Sequence, residues 1–384
     1  MRIFISPLDW GLGHASRCIP IIHHLLEKKI EVVIGAEGPH LLFLKEHFLN
    51  VDFVDFPGYR IKYSTALPVG VKVLFQLPQM VAAIKKEHEL LETIIKDKNI
   101  DAAISDNRYG LWNKKIPSII ITHQLNIQAP AANTFLSKTA YNYIKNFDEC
   151  WIPDYSGDVN LSGTLSHPIP KGLNGKYVGP LSRFDTLVVQ PQTPKGALNS
   201  AAQSPFRGLG FNQNKKYDLL VILSGPEPQR SKLEEIILNQ LKDLPKTKAL
   251  IIQGLPGSTY PLAQSLPSRE GRNVQIIPHL GDTDFQDAVN NSEVILSRGG
   301  YSTIMDLHTI GWKKSIFIPT PGQTEQEYLA KQFEKRGMAI TFTQKGLSLK
   351  DALEKANELN PVEPAFEKEN YKKVVDEWLK KISS

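Results

Sequence analysis

Short apolar runs alternate with amphipathic stretches of helical spacing, and this alternation is the feature that most restricts the fold of the chain. In the first half the runs fall at 2–6, 31–36, 52–56, 101–105 and 118–122. The last two are almost continuously apolar, which is typical of parallel strands that are buried on both faces. The alternation therefore predicts a doubly wound α/β domain.

The same alternation starts again in the second half, with predicted strands at 219–223, 249–253, 274–278, 294–297 and 315–319. In the stretch between the two series, Gln, Asn, Pro, Gly and Ser dominate and no periodicity is visible, which is typical of a linker. We therefore predict two domains with a linker, followed by an amphipathic C-terminal helix that packs back on the first domain. The predicted boundaries are 1–183 for the N-terminal domain, 184–216 for the linker, 217–365 for the C-terminal domain and 366–384 for the terminal helix.

The length and composition agree with this organisation and exclude several classes of protein. A chain of 384 residues is long enough for two hydrophobic cores, and 41% hydrophobic with 22% charged residues is a globular composition. The net charge of +5 comes from interspersed charges of both signs, so no nucleic-acid partner is indicated. An acidic substrate or a mildly anionic membrane surface stays open.

Cysteine usage and hydropathy indicate a soluble cytoplasmic protein. Cys18 and Cys150 are the two cysteines of the chain, too few for a disulfide framework or a zinc site. No apolar run reaches the roughly 18–20 residues of a membrane-spanning helix. The apolar stretch at 69–83 is interpreted as core, with a peripheral membrane contact as the alternative.

A glycine-containing loop follows the first predicted strand and carries a histidine. Gly11 and Gly13 let a ligand approach the backbone closely, and the helix behind them favours anions or developing negative charge. Ser16 occupies the place of the third glycine of the dinucleotide fingerprint, which argues against a nicotinamide cofactor. His14 could take a proton from a hydroxyl at neutral pH, or it could merely cap the helix.

Three further turns follow strands of the second domain: SGPEPQR at 224–230, SRGGYST at 297–303 and PTPGQTEQ at 319–326. Each alone is explained by a tight turn with a helix cap. Because parallel strands bring their carboxyl ends to one edge of the sheet, the three together favour an anion-binding site. In this site Arg298 could add positive charge or instead fix the loop.

Several polar residues follow other strands. Asp282 and Asp284 resemble a D-x-D metal motif, but they precede a short helix, and helix capping is the favoured interpretation. Asp106, Asn107, Arg108 and His123 end two buried strands of the first domain. For these four residues, acceptor binding and hydrogen bonding at the edge of the core are both open.

Taken together, these motifs resemble glycosyltransferase family 28, which holds the bacterial lipid-intermediate N-acetylglucosaminyltransferases and the plant galactolipid synthases. The resemblance rests on SRGGYSTIMD at 297–306, TEQEY at 324–328 and GLGH at 11–14. It implies the GT-B architecture, in which two doubly wound, Rossmann-like α/β domains face a central cleft.

The resemblance also implies roles for individual residues. His14 would activate the acceptor. From their places at the strand ends of the first domain, we add Asp106 as a second catalytic candidate and expect the acceptor to contact Gly11, Gly13, Arg17, Asn107, Arg108 and His123. The donor would contact Ser224, Gly225, Ile277, His279, Arg298, Gly299, Gly300, Ser302, Thr303, Asp306, Glu325 and Gln326. Asp306 stands where the family has a ribose-binding Glu, and prolines follow Gly225 where the family has glycines.

The implied activity is that of an inverting, metal-independent glycosyltransferase without a cofactor. It would move a hexose or N-acetylhexosamine from a nucleotide-sugar, most simply a UDP-sugar, to a hydroxyl of a glycan, lipid-linked or small-molecule acceptor. One alternative is a nucleotide-sugar hydrolase of the same fold, in which water replaces the acceptor and Arg17 matters more. The other is a non-catalytic nucleotide-sugar-binding protein.

Overall fold

The computed structural model describes residues 1–59, 69–127, 133–186, 215–256, 273–367 and 369–383. The chain divides into two compact units. Unit 1 comprises Met1–Ser182 and Pro364–Ser384, and unit 2 comprises Arg183–Glu363. Residues 187–214, which form most of the predicted linker, lie outside the described residues.

Unit 1 is built on a seven-stranded parallel sheet with the strand order β3-β2-β1-β4-β5-β6-β7. The strands are β1 (Arg2–Pro7), β2 (Glu31–Ala36), β3 (Asp52–Asp55), β4 (Ala102–Asp106), β5 (Ser118–Ile121), β6 (Glu149–Ile152) and β7 (Gly175–Tyr177). The helices are α1 (Leu12–Glu27), α2 (Gly38–His47), α3 (Val69–Lys98), α4 (Asn133–Ile144) and the terminal α10 (Tyr371–Ser383).

Both faces of this sheet are covered. Ile3 and Ile5 of β1 point into one core, which α1 and α10 complete, while Phe4 points into a second core on the opposite face. Trp378 of α10 packs edge-on against Trp151 of β6, with ring centroids 5.4 Å apart. The C-terminal helix is therefore part of the core of unit 1.

Unit 2 repeats the arrangement with a six-stranded parallel sheet of order β10-β9-β8-β11-β12-β13. Its strands are β8 (Tyr217–Ile222), β9 (Ala249–Ile252), β10 (Val274–Ile277), β11 (Ser292–Ser297), β12 (Lys314–Phe317) and β13 (Ala339–Thr341). Its helices are α5 (Gln229–Leu241), α6 (Asp282–Asn290), α7 (Tyr301–Ile310), α8 (Thr324–Lys335) and α9 (Leu349–Glu358).

The doubly wound α/β fold predicted for each half of the chain is confirmed. In both sheets the order reverses beside the first strand of the unit, because β1 lies between β2 and β4, and β8 lies between β9 and β11. Loops at the carboxyl ends of strands next to such a reversal are the usual ligand sites of open α/β sheets. Among the helices the structure describes, none is both long and apolar enough to cross a membrane.

Candidate functional site

The loop after β1 is shorter than its sequence indicates. Helix α1 begins at Leu12, and Gly11 is its N-cap residue with a φ of 135°. Gly13 and His14 thus belong to the first helical turn, and the His14 backbone N–H donates to the Gly11 carbonyl at 3.1 Å. The prediction that the loop carries His14 was wrong, because His14 lies in the helix. Its alternative role as a helix cap was also wrong, because its side chain turns to Asp106.

His14, Arg17 and Asp106 form a compact cluster at the carboxyl end of β4. His14 Nδ1 lies 2.9 Å from Asp106 Oδ1 and 2.9 Å from Arg17 Nη2. Arg17 Nε donates to Asp106 Oδ2 at 2.5 Å, and its Nη2 also donates to Asp106 Oδ1. Helix α1 brings His14 and Arg17 to the same carboxylate because residues three apart share a helix face.

The environment keeps Asp106 ionised and His14 neutral. Burial alone would raise the pKa of Asp106, but the adjacent Arg17 guanidinium and His14 lower it to about 2. Burial, reinforced by the charge of Arg17, lowers the pKa of His14 below its usual value, although Asp106 opposes this. The imidazole is therefore uncharged at neutral pH and can accept a proton.

The position of the imidazole proton decides what His14 can do. With the proton on Nδ1, that atom donates to Asp106 and Nε2 keeps its lone pair, as a general base requires. With the proton on Nε2, Nδ1 accepts from Arg17 and the ring has no basic nitrogen left for a substrate. The anionic Asp106 favours the first tautomer.

Arg17 is a buried link within this cluster. Its side chain is 2% exposed, and Nη1 lies 3.4 Å from His123 Nδ1 at the end of β5. The sequence assigned Arg17 and His123 to acceptor binding, and the structure brings both to the catalytic candidates. Their contact with an acceptor stays a prediction.

Arg108 occupies a different network. Its Nε donates to Glu87 Oε1 at 2.6 Å, its Nη1 donates to Ser6 and Pro7, and its Nη2 donates to the Pro57 carbonyl. The guanidinium also lies over the Phe56 ring at 4.5 Å. These contacts give Arg108 the role of fixing the loops around β1 and β4, and direct acceptor binding by it stays a prediction.

In the described parts of the chain, the polar atoms that are buried without a hydrogen-bond partner include Asn107 Oδ1 and His40 Nε2, as well as Ser16 Oγ on α1. Asn107 follows Asp106 directly and has a φ of 57°. His40, on α2, hydrogen bonds to the backbone of Gly11. Sequence reasoning missed His40, although GAEGPH at 35–40 is itself a glycine-containing turn that begins a helix after a strand.

In unit 2 three strand-end loops meet around Arg298. Its Nη1 donates to Gln344 Oε1 at 2.8 Å and to the Ile318 carbonyl at 3.3 Å, and its Nη2 donates to the Gln229 carbonyl at 2.6 Å. Burial lowers the pKa of Arg298 to about 10, so the guanidinium stays charged at neutral pH. Of the two roles open for Arg298, the structure establishes loop fixation.

The Nε–H group of Arg298 has no hydrogen-bond acceptor among the described residues. Within the described residues, Arg298 Nε and Thr320 Oγ1 are buried and lack hydrogen-bond partners. A Cβ placed on Gly225 would lie 3.4 Å from Thr320 Oγ1 and 4.0 Å from Arg298 Nε. The bare backbone of Gly225, with a φ of 96°, therefore lies next to an unsatisfied guanidinium N–H and an unsatisfied hydroxyl that can donate. Ser224 precedes Gly225 in this loop.

Helix α7 begins beside this group. Gly300 is its N-cap residue, and Ser302 and Thr303 lie in its first turn, with Asp306 one turn further. Gly299 has a φ of 66°, and a Cβ there would lie 2.8 Å from the Phe317 ring, so this tight approach requires glycine. The amino end of this ten-residue helix carries a partial positive charge, which favours an anionic ligand.

Gln326 ties two of the loops together. Its Oε1 accepts from the Thr320 backbone N–H at 2.8 Å, and its Nε2 would lie 3.7 Å from a Cβ on Gly300. Glu325 lies beside it in the first turn of α8. Ile277 ends β10, and both Ile277 and His279 are buried at that sheet edge.

Asp282 and Asp284 lie at the start of α6, but they do not have the capping role that the sequence predicted. Gly281 is the N-cap residue, and Asp282 and Asp284 lie in the first turn, where the helix dipole favours carboxylates. Asp282 also pairs with Arg183 at 3.2 Å. The two carboxylates thus lie at the helix start, but they do not cap it. Over the described residues, no three His, Cys, Asp or Glu side chains are grouped as metal ligands.

Comparisons with known proteins place this geometry in context. Residues 219–381 match the family described as the glycosyltransferase family 28 C-terminal domain. An uncharacterized glycosyltransferase of Methanosarcina mazei is 25% identical over 370 residues, covering 88% of this chain and 84% of that protein.

A second relative, from Alkaliphilus metalliredigens, is 24% identical and spans 91% of this chain and 87% of its own length. It is named UDP-N-acetylglucosamine–N-acetylmuramyl-(pentapeptide) pyrophosphoryl-undecaprenol N-acetylglucosamine transferase. Among solved structures, the glycosyltransferase SnogD of Streptomyces nogalater is similar with a TM-score of 0.59 and 12% identity, over 100% of this chain and 99% of that one.

Proposed function

Since the chain is a glycosyltransferase of the GT-B fold with a family 28 C-terminal domain, we propose that it transfers a sugar from a UDP-sugar to an acceptor hydroxyl with inversion at the anomeric carbon. Unit 2 binds the donor and unit 1 activates the acceptor. The observation that carries the proposal is the His14–Asp106 contact of 2.9 Å, in which a neutral imidazole is held by a buried carboxylate.

In the proposed reaction, His14 Nε2 takes the proton of the acceptor hydroxyl as its oxygen attacks the anomeric carbon. The bond from that carbon to the diphosphate oxygen breaks, and its electron pair leaves with UDP. Asp106 holds the Nδ1–H tautomer and stabilises the imidazolium that forms, as the third member of a catalytic triad does. One displacement from the opposite face inverts the configuration.

The leaving diphosphate is held in unit 2 by positive groups of the chain. Supporting this, the amino end of α7 and the unsatisfied donors Arg298 Nε and Thr320 Oγ1 all lie around the Gly225 and Gly300 backbone. Such donors stabilise charge where it develops. We therefore propose that the leaving group departs without a divalent metal.

The donor base is proposed to be uracil and the donor sugar a hexose or N-acetylhexosamine. The support is the name of the Alkaliphilus relative, which specifies a UDP-N-acetylglucosamine donor. The ribose would meet Asp306, and the sugar hydroxyls would meet Glu325 and Gln326.

The test is to follow UDP release from UDP-hexoses and UDP-N-acetylhexosamines with and without acceptors, and to read the anomeric configuration of the product by NMR. We expect acceptor-dependent UDP release and an inverted product. Release at full rate without acceptor would indicate the hydrolase instead, and retention of configuration would contradict the single displacement.

A Gly225→Val variant tests the donor site separately from the catalytic cluster of unit 1. Its side chain would enter the space bordered by Thr320 and Arg298, so UDP affinity should fall at least about tenfold while His14 and its partners stay intact. Unchanged UDP affinity in this variant would remove Gly225 from the phosphate site.

A further inference from the structure

Trp10 is an exposed aromatic side chain beside the candidate base. It directly precedes Gly11, the N-cap residue of the helix that carries His14. Trp10 is 40% exposed, although large aromatic residues are mostly buried. Among the described residues, and apart from the chain neighbours of Gly11, no atom lies within 4 Å of a Cβ built on Gly11, so the space beside Gly11 is open.

The Trp10 ring packs against the Tyr59 ring, which is itself fixed by hydrogen bonds. It meets the Tyr59 ring edge to face, with centroids 6.4 Å apart and an interplanar angle of 75°. The Tyr59 hydroxyl donates to Glu87 Oε2 at 2.8 Å and accepts from the Tyr109 N–H at 3.0 Å, which fixes the far end of that ring. An exposed aromatic surface that is already ordered costs little entropy when a ligand covers it.

His40 contacts the backbone of Gly11, and its Nε2 atom is a buried hydrogen-bond acceptor. Burial lowers the pKa of His40, so the ring is neutral at pH 7. Since its hydrogen bond to the Gly11 backbone is a donation to the carbonyl oxygen, the ring proton is on Nδ1 and Nε2 holds a lone pair. That Nε2 has no partner in the described structure, and Asn107 Oδ1 is a second such acceptor at the end of β4.

The unsatisfied acceptors His40 Nε2 and Asn107 Oδ1, together with the exposed Trp10 ring, indicate what chemical groups the ligand must carry. These acceptors require O–H or N–H donors. A phosphate dianion has none, so a phosphate group is excluded as their partner. A pyranose presents hydroxyl groups around its edge and an apolar C–H face that can cover an aromatic ring. A phenolic or lipid hydroxyl offers a single donor.

We propose that the acceptor of this enzyme is a sugar, whose pyranose ring lies against Trp10 and whose hydroxyls donate to His40 Nε2 and Asn107 Oδ1. The inference rests on the proposed function and names its acceptor class. Trp10 precedes Gly11 in the chain and His40 hydrogen bonds to the Gly11 backbone, so both are acceptor-binding residues, while the reacting hydroxyl goes to His14.

The first experiment is saturation-transfer NMR on the full chain with methyl glycosides of the common pyranoses, 4-methylumbelliferone and farnesol as separate probes. The same three classes are then tried as acceptors with the active UDP-sugar. We expect saturation of the ring C–H protons of at least one methyl glycoside, and transfer to it. Binding and turnover confined to 4-methylumbelliferone or farnesol, or no saturation of any glycoside, would overturn the inference.

Two pairs of variants separate binding from positioning. Trp10→Ala should raise the KM for the sugar about tenfold, whereas Trp10→Phe should stay within about threefold because it keeps an aromatic face. His40→Asn keeps a donor for the Gly11 carbonyl but loses the Nε2 acceptor, so it should raise the acceptor KM about fivefold or more with little change in kcat.

His40→Gln has the opposite geometry, because its amide can reach the place of Nε2 but not the Gly11 carbonyl. A purely structural His40 would make His40→Gln the worse variant and leave His40→Asn near normal, and that result would overturn its acceptor role. Leu42→Ala, exposed on the same helix, is the control, and UDP affinity should stay unchanged throughout. Sugar binding without UDP binding would keep this inference and contradict the proposed donor.

Discussion

Replacing Asp106 by Asn tests the candidate catalytic cluster most severely, because it removes a charge without changing the shape of the side chain. Asp106 is fully buried and the Arg17 side chain is 2% exposed. Holding the pKa of Asp106 at about 2 in place of 3.8 corresponds to roughly 2 kcal/mol of folding free energy at neutral pH. Loss of one partner of a buried ion pair costs about 3–5 kcal/mol.

In the Asp106→Asn variant the amide oxygen can still accept one bond from Arg17, so we expect the free energy of unfolding to fall by about 2–4 kcal/mol. For a unit of this size that is a decrease in Tm of roughly 4–16 °C, measurable by calorimetry at pH 7. UDP affinity should be unchanged, since the proposed donor contacts belong to unit 2.

The kinetic effect of Asp106→Asn should exceed what partial unfolding explains. The amide no longer favours the proton on His14 Nδ1, so we expect kcat to fall about 10²–10⁴-fold at a temperature where the variant is fully folded. His14→Ala should lose a similar factor, and the double variant should lose little more, because the two residues act as one unit. A folded Asp106→Asn variant with kcat within about threefold of the parent would refute the base assignment.

Four further outcomes are expected. The ascending limb of the pH–rate profile should lie below the usual imidazole value of about 6.5, because burial lowers the pKa of His14, and His14→Ala should lack it. Turnover should survive EDTA, and restoration of chelated enzyme by manganese would contradict the metal-free mechanism. Thr303→Ala should weaken UDP more than uridine in calorimetric titrations, since uridine has no phosphate. Acid unfolding should steepen below about pH 4, because the stability that comes from the lowered pKa of Asp106 is fully present above pH 3.8 and is lost as the pH falls toward 2.

The parallel sheets could be predicted because their central strands are buried on both faces. β4 and β5 are fully buried along their length, and this produces the apolar runs that identify them. β7 and β13 are three residues long, too short for any periodicity. β6 starts with a charged residue, Glu149, which is buried because Lys176 reaches it at 3.0 Å. Such compensation comes from a distant part of the chain and leaves no local signal.

The position of the site could be predicted from topology, but its internal partners could not. His14 lies in the first turn of the helix that follows β1, and Asp106 ends the neighbouring strand β4, so their proximity follows from the sheet order. The engagement of Arg108 by Glu87 depends on how α3 packs, and no spacing rule joins those two residues. The helix start at Leu12 was hidden because Gly13 is a poor helix former and indicates a loop.

Among the described residues, the unpartnered polar atoms singled out at the two candidate sites differ in character, and this difference supports different ligands for the two sites. At the strand ends of unit 2 the unsatisfied atoms are Arg298 Nε and Thr320 Oγ1, a charged and a neutral donor beside a helix amino end. At those of unit 1 they are the acceptors His40 Nε2 and Asn107 Oδ1. Because a buried polar atom without a partner costs about 1–3 kcal/mol, each set is expected to be satisfied when its ligand binds. An anion fits the first set and a polyhydroxylated molecule fits the second, so the same argument supports both the proposed diphosphate site in unit 2 and the proposed sugar-acceptor site in unit 1.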